Sequence, residues 1–236
     1  MLLRDVSIGY DHTVVQTVNA EFNAGDFVCL IGRNGSGKST LIRSMAGLLP
    51  LRSGDVLIND RSLTSYSPQV LSRLVSLVLT QLPDLPNTTL REFVAYGRLP
   101  YSSWLGHLKD EDYDIADHAI EQMQLGHLKH NNVMRLSDGE KQKGLIARAL
   151  AQGTEYMLLD EPSAFLDYES RIELLELLRS VAHDQHKAVL LSTHDRHLAL
   201  QYTDQVWTIE NKLFYKYETG EYIARHCELD PLLMRK

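Results

Sequence analysis

Residues 32–40 read GRNGSGKST and follow directly on the apolar run FVCLI at 27–31. Gly32, Gly37, Lys38 and Ser39 satisfy the pattern G-x-x-x-x-G-K-[ST], in which backbone N–H groups curl around phosphate oxygens. Glycines let the chain turn sharply and approach an anion closely. A lysine at position 38 can then reach the outer phosphates, and the Ser39 hydroxyl can hold Mg²⁺. The next segment, TLIRSMAGLL, places Leu41, Ile42, Met45 and Leu48 at helical spacing. The phosphates therefore meet a helix N-terminus, where free N–H groups and the macrodipole favour negative charge. A Gly/Ser surface loop is the plain alternative, but the apolar strand before and the helix after favour phosphate binding.

Around this loop the chain reads as an α/β protein. The first 25 residues alternate weakly, as half-exposed antiparallel strands do. RSGDVLIND is another short strand, and Leu63 to about Gly153 is mostly helical, broken by LPDLPN and by GRLPYSSWLG. YMLLD and KAVLLS are two buried strands separated by the helix ESRIELLELLRSVAHDQ, whose apolar stripe is Ile172, Leu175, Leu178 and Val181. VWTIE and LFYKYE form a hairpin around Glu210, Asn211 and Lys212, because Asn tolerates the left-handed conformation. Buried strands alternating with helices argue for a largely parallel sheet, whose ligands bind beyond the carboxyl ends of the strands. The sequence contains a test of that rule. DFVCLIG ends at the phosphate loop, YMLLD at Asp160-Glu161, and KAVLLST at His194.

Composition narrows the function. The chain has 236 residues, 44% hydrophobic and 23% charged, and a net charge of −7. That is ordinary for a globular protein, and it argues against a nucleic-acid partner. No apolar run approaches the roughly 20 residues of a membrane span, and MLLRDVSIGY lacks a signal-peptide core; the expected location is the cytoplasm. Two isolated cysteines, Cys29 and Cys227, make neither a disulfide framework nor a metal site.

In YMLLDEP, Asp160 is placed to bind Mg²⁺ together with Ser39, and Glu161 to polarise a water aimed at the γ-phosphorus. Acidic residues also commonly end strands and cap helices, so the two carboxylates gain weight only from their place in the order of segments. His194, one of ten histidines, gains it in the same way, from its position at the same sheet edge.

With these residues in place, the chain resembles the ATPase subunit of an ABC transporter over nearly its whole length. LSDGE (136–140) resembles the family's signature, Gln81 its Q-loop, SAFLD (163–167) its D-loop, and His194 its switch histidine. The resemblance implies a P-loop NTPase core with a mainly parallel sheet, an N-terminal antiparallel β subdomain and an inserted α-helical subdomain. It also implies one ATPase domain over 1–236, with the helical part at about 82–150 and a C-terminal hairpin and tail at about 205–236. Tyr10 would stack on adenine, while Gly32, Asn34, Gly35, Ser36, Gly37, Lys38, Ser39 and Thr40 hold the phosphates. Ser39, Gln81 and Asp160 would organise Mg²⁺, with Glu161 and His194 at the γ-phosphate.

Ser137 and Gly139 open a second helix and form a second phosphate-seeking end. Two chains placed head to tail would close two composite ATP sites, an isologous homodimer in the ATP-bound state. Asp138 departs from the common signature, in which a glycine stands there. A carboxylate facing ATP would cost affinity, so it is expected to turn toward Lys141 or the helix amides.

VAYGRLPYSSWLG resembles importers of iron chelates, haem and cobalamin. That likeness implies permease subunits, a substrate-binding protein and a peripheral position on the cytoplasmic face of the membrane; loop packing alone is the plainer account of Gly97, Pro100, Tyr101 and Trp104. A soluble ABC-type ATPase serving a scaffold such as iron–sulfur assembly is the alternative. A DNA-repair ATPase would need a long coiled-coil insertion, which the spacing from Lys38 to Ser137 leaves no room for. A translation-associated relative would carry two cassettes, and a GTPase a guanine-reading Asn-Lys-x-Asp.

Overall fold

The structure, a computed structural model, describes residues 1–102 and 106–226; Trp104 and Cys227 lie outside the described residues. Strands β1 (Leu2–Gly9) and β2 (Thr13–Glu21) form an antiparallel pair. β3 (Phe27–Gly32) runs into α1 (Lys38–Met45), and β4 (Ser53–Ile58) and β5 (Arg61–Ser62) complete the first part of the chain. Then come α2 (Pro68–Leu74), β6 (Val75–Val78), α3 (Leu90–Ala95), α4 (Asp110–Gln122) and α5 (Asp138–Gln152). The last part is β7 (Tyr156–Asp160), α6 (Tyr168–His183), β8 (Ala188–Ser192), α7 (Arg196–Ala199), β9 (Gln205–Glu210), β10 (Leu213–Glu218) and α8 (Thr219–His226).

The strands join in the order β5-β4-β1-β2-β10-β9-β3-β8-β7-β6. The run β9-β3-β8-β7-β6 is parallel throughout. β1, β2, β4 and β5 pair antiparallel, and a single parallel bridge, Leu213 with Gln16, joins the two parts. The central strands are continuous apolar runs because both of their faces are covered. Phe27, Cys29 and Ile31 of β3 pack into one core with Met157, Leu159, Val189, Leu191 and residues of α3, α4, α5 and α6. The alternate residues Val28 and Leu30 pack into a second core with Leu158, Leu190, α1 and the antiparallel strands. This two-residue period sorts every side chain at the strand ends to one face or the other.

Several expectations change in detail. The strand β6 lies inside the stretch read as mostly helical. Its residues VSLV continue α2 without a turn, and a short apolar run carries no period that separates strand from buried helix. Pairing with β7 makes it a strand. α1 ends at Met45, so Leu48 is exposed rather than packed. On α6 the buried stripe is Leu174, Leu175, Leu178, Val181 and Ala182, with Ile172 only partly buried. The hairpin turn has both Asn211 (φ 51°) and Lys212 (φ 68°) left-handed, the geometry that matches the right-handed twist of two adjoining strands.

Candidate functional site: the phosphate loop and the strand ends

The loop from Gly32 to Gly37 bends on left-handed glycines, Gly35 at φ 76° and Gly37 at φ 109°. At Gly37 a side chain is excluded on two counts: its backbone angle, and a β-carbon that would come within 2.7 Å of Val15. Gly37 caps α1 with no side-chain hydrogen bond, leaving the first N–H groups of the helix to an external acceptor. Beside them lies a cavity of about 520 Å³. Tyr10, Asn34, Gly35, Gly37, Lys38, Ser39, Thr40, Asp160 and Glu161 line it, joined by Val14, Arg43 and Thr80.

Lys38 is almost fully buried, and its Nζ donates to the carbonyls of Gly32 (3.0 Å) and Arg33 (3.4 Å). It stands 3.9 Å from Glu161 Oε1, which pairs the buried charge. Ser39 Oγ donates to Asp160 Oδ1 at 2.9 Å. Glu161, the first residue past β7, has φ 50°, left-handed for a non-glycine. Its Oε2 lies 3.6 Å from Nδ1 of His194, which is exposed and follows β8 by two residues. The lysine, both carboxylates and the histidine thus meet at the carboxyl ends of β3, β7 and β8, which are adjacent in the sheet. Tyr10, from the turn between β1 and β2, is exposed at the cavity rim, and its carbonyl accepts from Arg52. A larger cavity, about 1020 Å³, also borders the loop and is lined by Gly32, Asn34, Gly35 and Ser36 together with Thr193 and His194.

Other expected residues lie elsewhere. Gln81 is exposed and does not line the cavity; its neighbour Thr80 does. Ser137 and Gly139, at the start of α5, line neither cavity. Gly139 faces residues 165 and 166 of the same chain, where a β-carbon would stand 3.3 Å from the Phe165 carbonyl. Ser137 caps α5 in a reciprocal box with Glu140: its N–H and Oγ both donate to Glu140 Oε2 at 2.8 Å. These bonds, the backbone one first, hold the Glu140 carboxyl below its ordinary range.

Asp138 is well exposed, with Oδ1 3.6 Å from Lys141 Nζ. An acid in the first turn favours the helix dipole by about 0.3–1 kcal/mol, and an exposed ion pair adds little. Asp138→Gly should therefore leave ATP affinity within about twofold and lower thermal stability slightly, since glycine also costs a few tenths of a kcal/mol of helix propensity relative to aspartate. An ATP titration showing a severalfold gain would place the carboxylate toward the nucleotide instead.

Two residues escaped the sequence reading. Thr80 carries no motif of its own. Ser192 is fully buried at the end of β8 and contacts both Asp160 and the Glu161 amide; the available signal was a hydroxyl closing an otherwise apolar strand two residues before His194.

A phosphate loop, an acidic strand end and a histidine on a doubly covered parallel sheet define a nucleoside-triphosphate-hydrolysing α/β cassette. The ABC transporter family model matches residues 15–164, and the chain belongs to that family as one of its ATP-binding, ATP-hydrolysing subunits. It is 36% identical to the achromobactin transport ATP-binding protein of Dickeya dadantii, over 89% of this chain and 78% of that one. It is 35% identical to the iron(3+)-hydroxamate import ATP-binding protein of Bacillus subtilis, over 84% and 74%. A solved ATP-binding subunit of an ABC transporter superposes with a TM-score of 0.84 over the full length of both chains, at 27% identity.

Proposed function

We propose that this chain hydrolyses ATP to drive a membrane permease that imports an iron chelate. The convergence of Lys38, Asp160, Glu161 and His194 on one sheet edge carries the ATPase part of this reading. The relatives whose names specify achromobactin and iron(3+)-hydroxamate support the cargo class.

In the proposed mechanism, Tyr10 stacks on adenine and the loop amides from Asn34 to Lys38, with the Lys38 ammonium, take the phosphates. Glu161 orients the attacking water and His194 contacts the γ-phosphate. The hard oxygens of Ser39 and Asp160, 2.9 Å apart, suit Mg²⁺, which needs only one or two carboxylate or hydroxyl ligands besides phosphate. Gln81 joins them if its loop turns inward. When bound, Mg²⁺ would neutralise charge on the transferred phosphoryl group. Ser137 and Gly139, which do not line their own chain's cavity, would serve the ATP of a second copy in a head-to-tail homodimer.

No helix among the described residues is long and apolar enough to cross a membrane; in this reading the cassette works on the cytoplasmic face against permease subunits. Its docking surface would be the turn Tyr96–Tyr101 beside α2. Tyr96, Leu99, Tyr101 and Val70 are exposed there. Arg73 ties the two elements through the Pro100 carbonyl at 2.7 Å and the Tyr101 ring. Gly97 lets this turn rest on α5, since a β-carbon there would come within 2.4 Å of the Arg148 carbonyl.

Affinity capture from detergent-solubilised membranes should recover a polytopic permease, and Leu99→Asp should weaken that capture at least severalfold. Recovery of a soluble scaffold protein in its place would reject the importer. The substrate-binding protein of the same system should appear only through the permease.

A further inference from the structure

We propose that Ser192 is a positioning residue for ATP hydrolysis, its hydroxyl fixing the backbone from which Glu161 reaches the γ-phosphate; this rests on Glu161 being the water-orienting group. Ser192 is the last residue of β8 and pairs with Asp160, the last residue of β7. Neighbours paired across a parallel ladder point to the same face. Both follow the period of Leu158 and Leu190, so they emerge on the face covered by α1, whose first turn carries Ser39. Ser192 is fully buried, and its Oγ makes two bonds there. It donates to Asp160 Oδ1 at 2.8 Å and accepts the Glu161 N–H at 2.9 Å.

The second bond matters because of the shape of Glu161. A residue before proline ordinarily takes the extended conformation, yet Glu161, followed by Pro162, is left-handed at φ 50°. Such a residue persists only where its surroundings hold it. Ser192 is the hydroxyl on its N–H. With that anchor the side chain reaches toward both Lys38 and His194. Without it, the amide at the strand end loses its partner and the extended conformer regains weight, turning the carboxylate away from the phosphates.

A hydroxyl orients here, whereas shape alone would not, so Val and Thr separate the two roles. Ser192→Val should lower kcat about tenfold, the worth of one good hydrogen bond to a reactive geometry. KM for ATP and the affinity for a fluorescent ATP analogue should stay within about twofold, because Lys38 and the loop amides are untouched. Ser192→Thr, equal in size to Val, should restore kcat to within about threefold of the parent. In a Glu161→Gln background, single-turnover hydrolysis should lose less than about twofold on adding Ser192→Val, since contacting residues that act as one unit are non-additive.

Full kcat in Ser192→Val, or equal impairment of the Thr and Val variants, overturns the proposal. An undiminished loss in the Glu161→Gln background overturns it too, by showing that Ser192 acts through Asp160 or the fold. If a β-branched residue prevents folding in thermal unfolding, Ser192→Ala and its Glu161→Gln double variant decide by the same coupling. Slow hydrolysis in Glu161→Gln with normal Ser192→Val removes Ser192 alone; normal hydrolysis in Glu161→Gln removes both assignments.

Discussion

Glu161→Gln is expected to bind ATP with nearly parental affinity and to hydrolyse it about 10²–10⁴-fold more slowly, the range that a positioned general base contributes. The amide is isosteric with the carboxylate and keeps the reach toward His194 Nδ1, 3.6 Å away. It no longer polarises a water or accepts a proton. Binding survives because the Lys38 ammonium keeps the carbonyls of Gly32 and Arg33 as acceptors when its 3.9 Å carboxylate neighbour is neutralised. Removing that negative charge also relieves repulsion with the γ-phosphate. The bound state should accumulate, and with it the ATP-linked dimer. Single-turnover hydrolysis, nucleotide titration and sedimentation measure the three consequences separately. Unchanged turnover would remove Glu161 from the reaction.

Lys38→Ala should show the opposite split, with the nucleotide itself lost. The ammonium is almost wholly buried, so its field on a phosphate is little screened by water. A hydrogen bond to a charged partner is worth about 1.5–3 kcal/mol, which corresponds to an affinity loss of about 10- to 100-fold. Hydrolysis should fall further, because the same cation faces charge that grows during transfer. The fold should persist, since Leu41, Ile42 and Met45 rather than Lys38 anchor α1 to its core. Thermal unfolding close to the parent, beside a titration of much reduced affinity, is the expected pair of results. Tight ATP binding without Lys38 would contradict the loop assignment.

The candidate chemistry was legible in the sequence wherever it is local. GRNGSGKST needs its glycines, lysine and serine as near neighbours, and the loop closes on contacts between residues a few positions apart, such as Lys38 Nζ to the Gly32 carbonyl. The strands DFVCLIG, YMLLD and KAVLLS announced themselves by unbroken apolar runs, and the rule that ligands gather at strand ends placed His194 with Asp160 and Glu161. The turn at Asn211 and Lys212 was equally local. The capping of α5 by Ser137 and Glu140 has the spacing of a capping box, although the family resemblance directed that segment to phosphate.

What the sequence left open depends on long-range pairing. VSLV became β6 only because Tyr156 to Leu159 offered it an edge, and no property of four apolar residues distinguishes that outcome from a helix. Ser192 looked like the end of an apolar run, and its position was decided by the register that sets it beside Asp160. Tyr10 reaches the loop through the sheet, and Ser137 and Gly139 stay out of their own cavity at the start of α5, where Gly139 lies against residues 165 and 166. Residue types and short spacings thus determined what this protein can bind, since phosphate chemistry needs particular groups close together. Tertiary structure alone decided which remote groups face one another, because side-chain direction in a sheet is fixed by strand register and neighbour, and neither is encoded within a single strand.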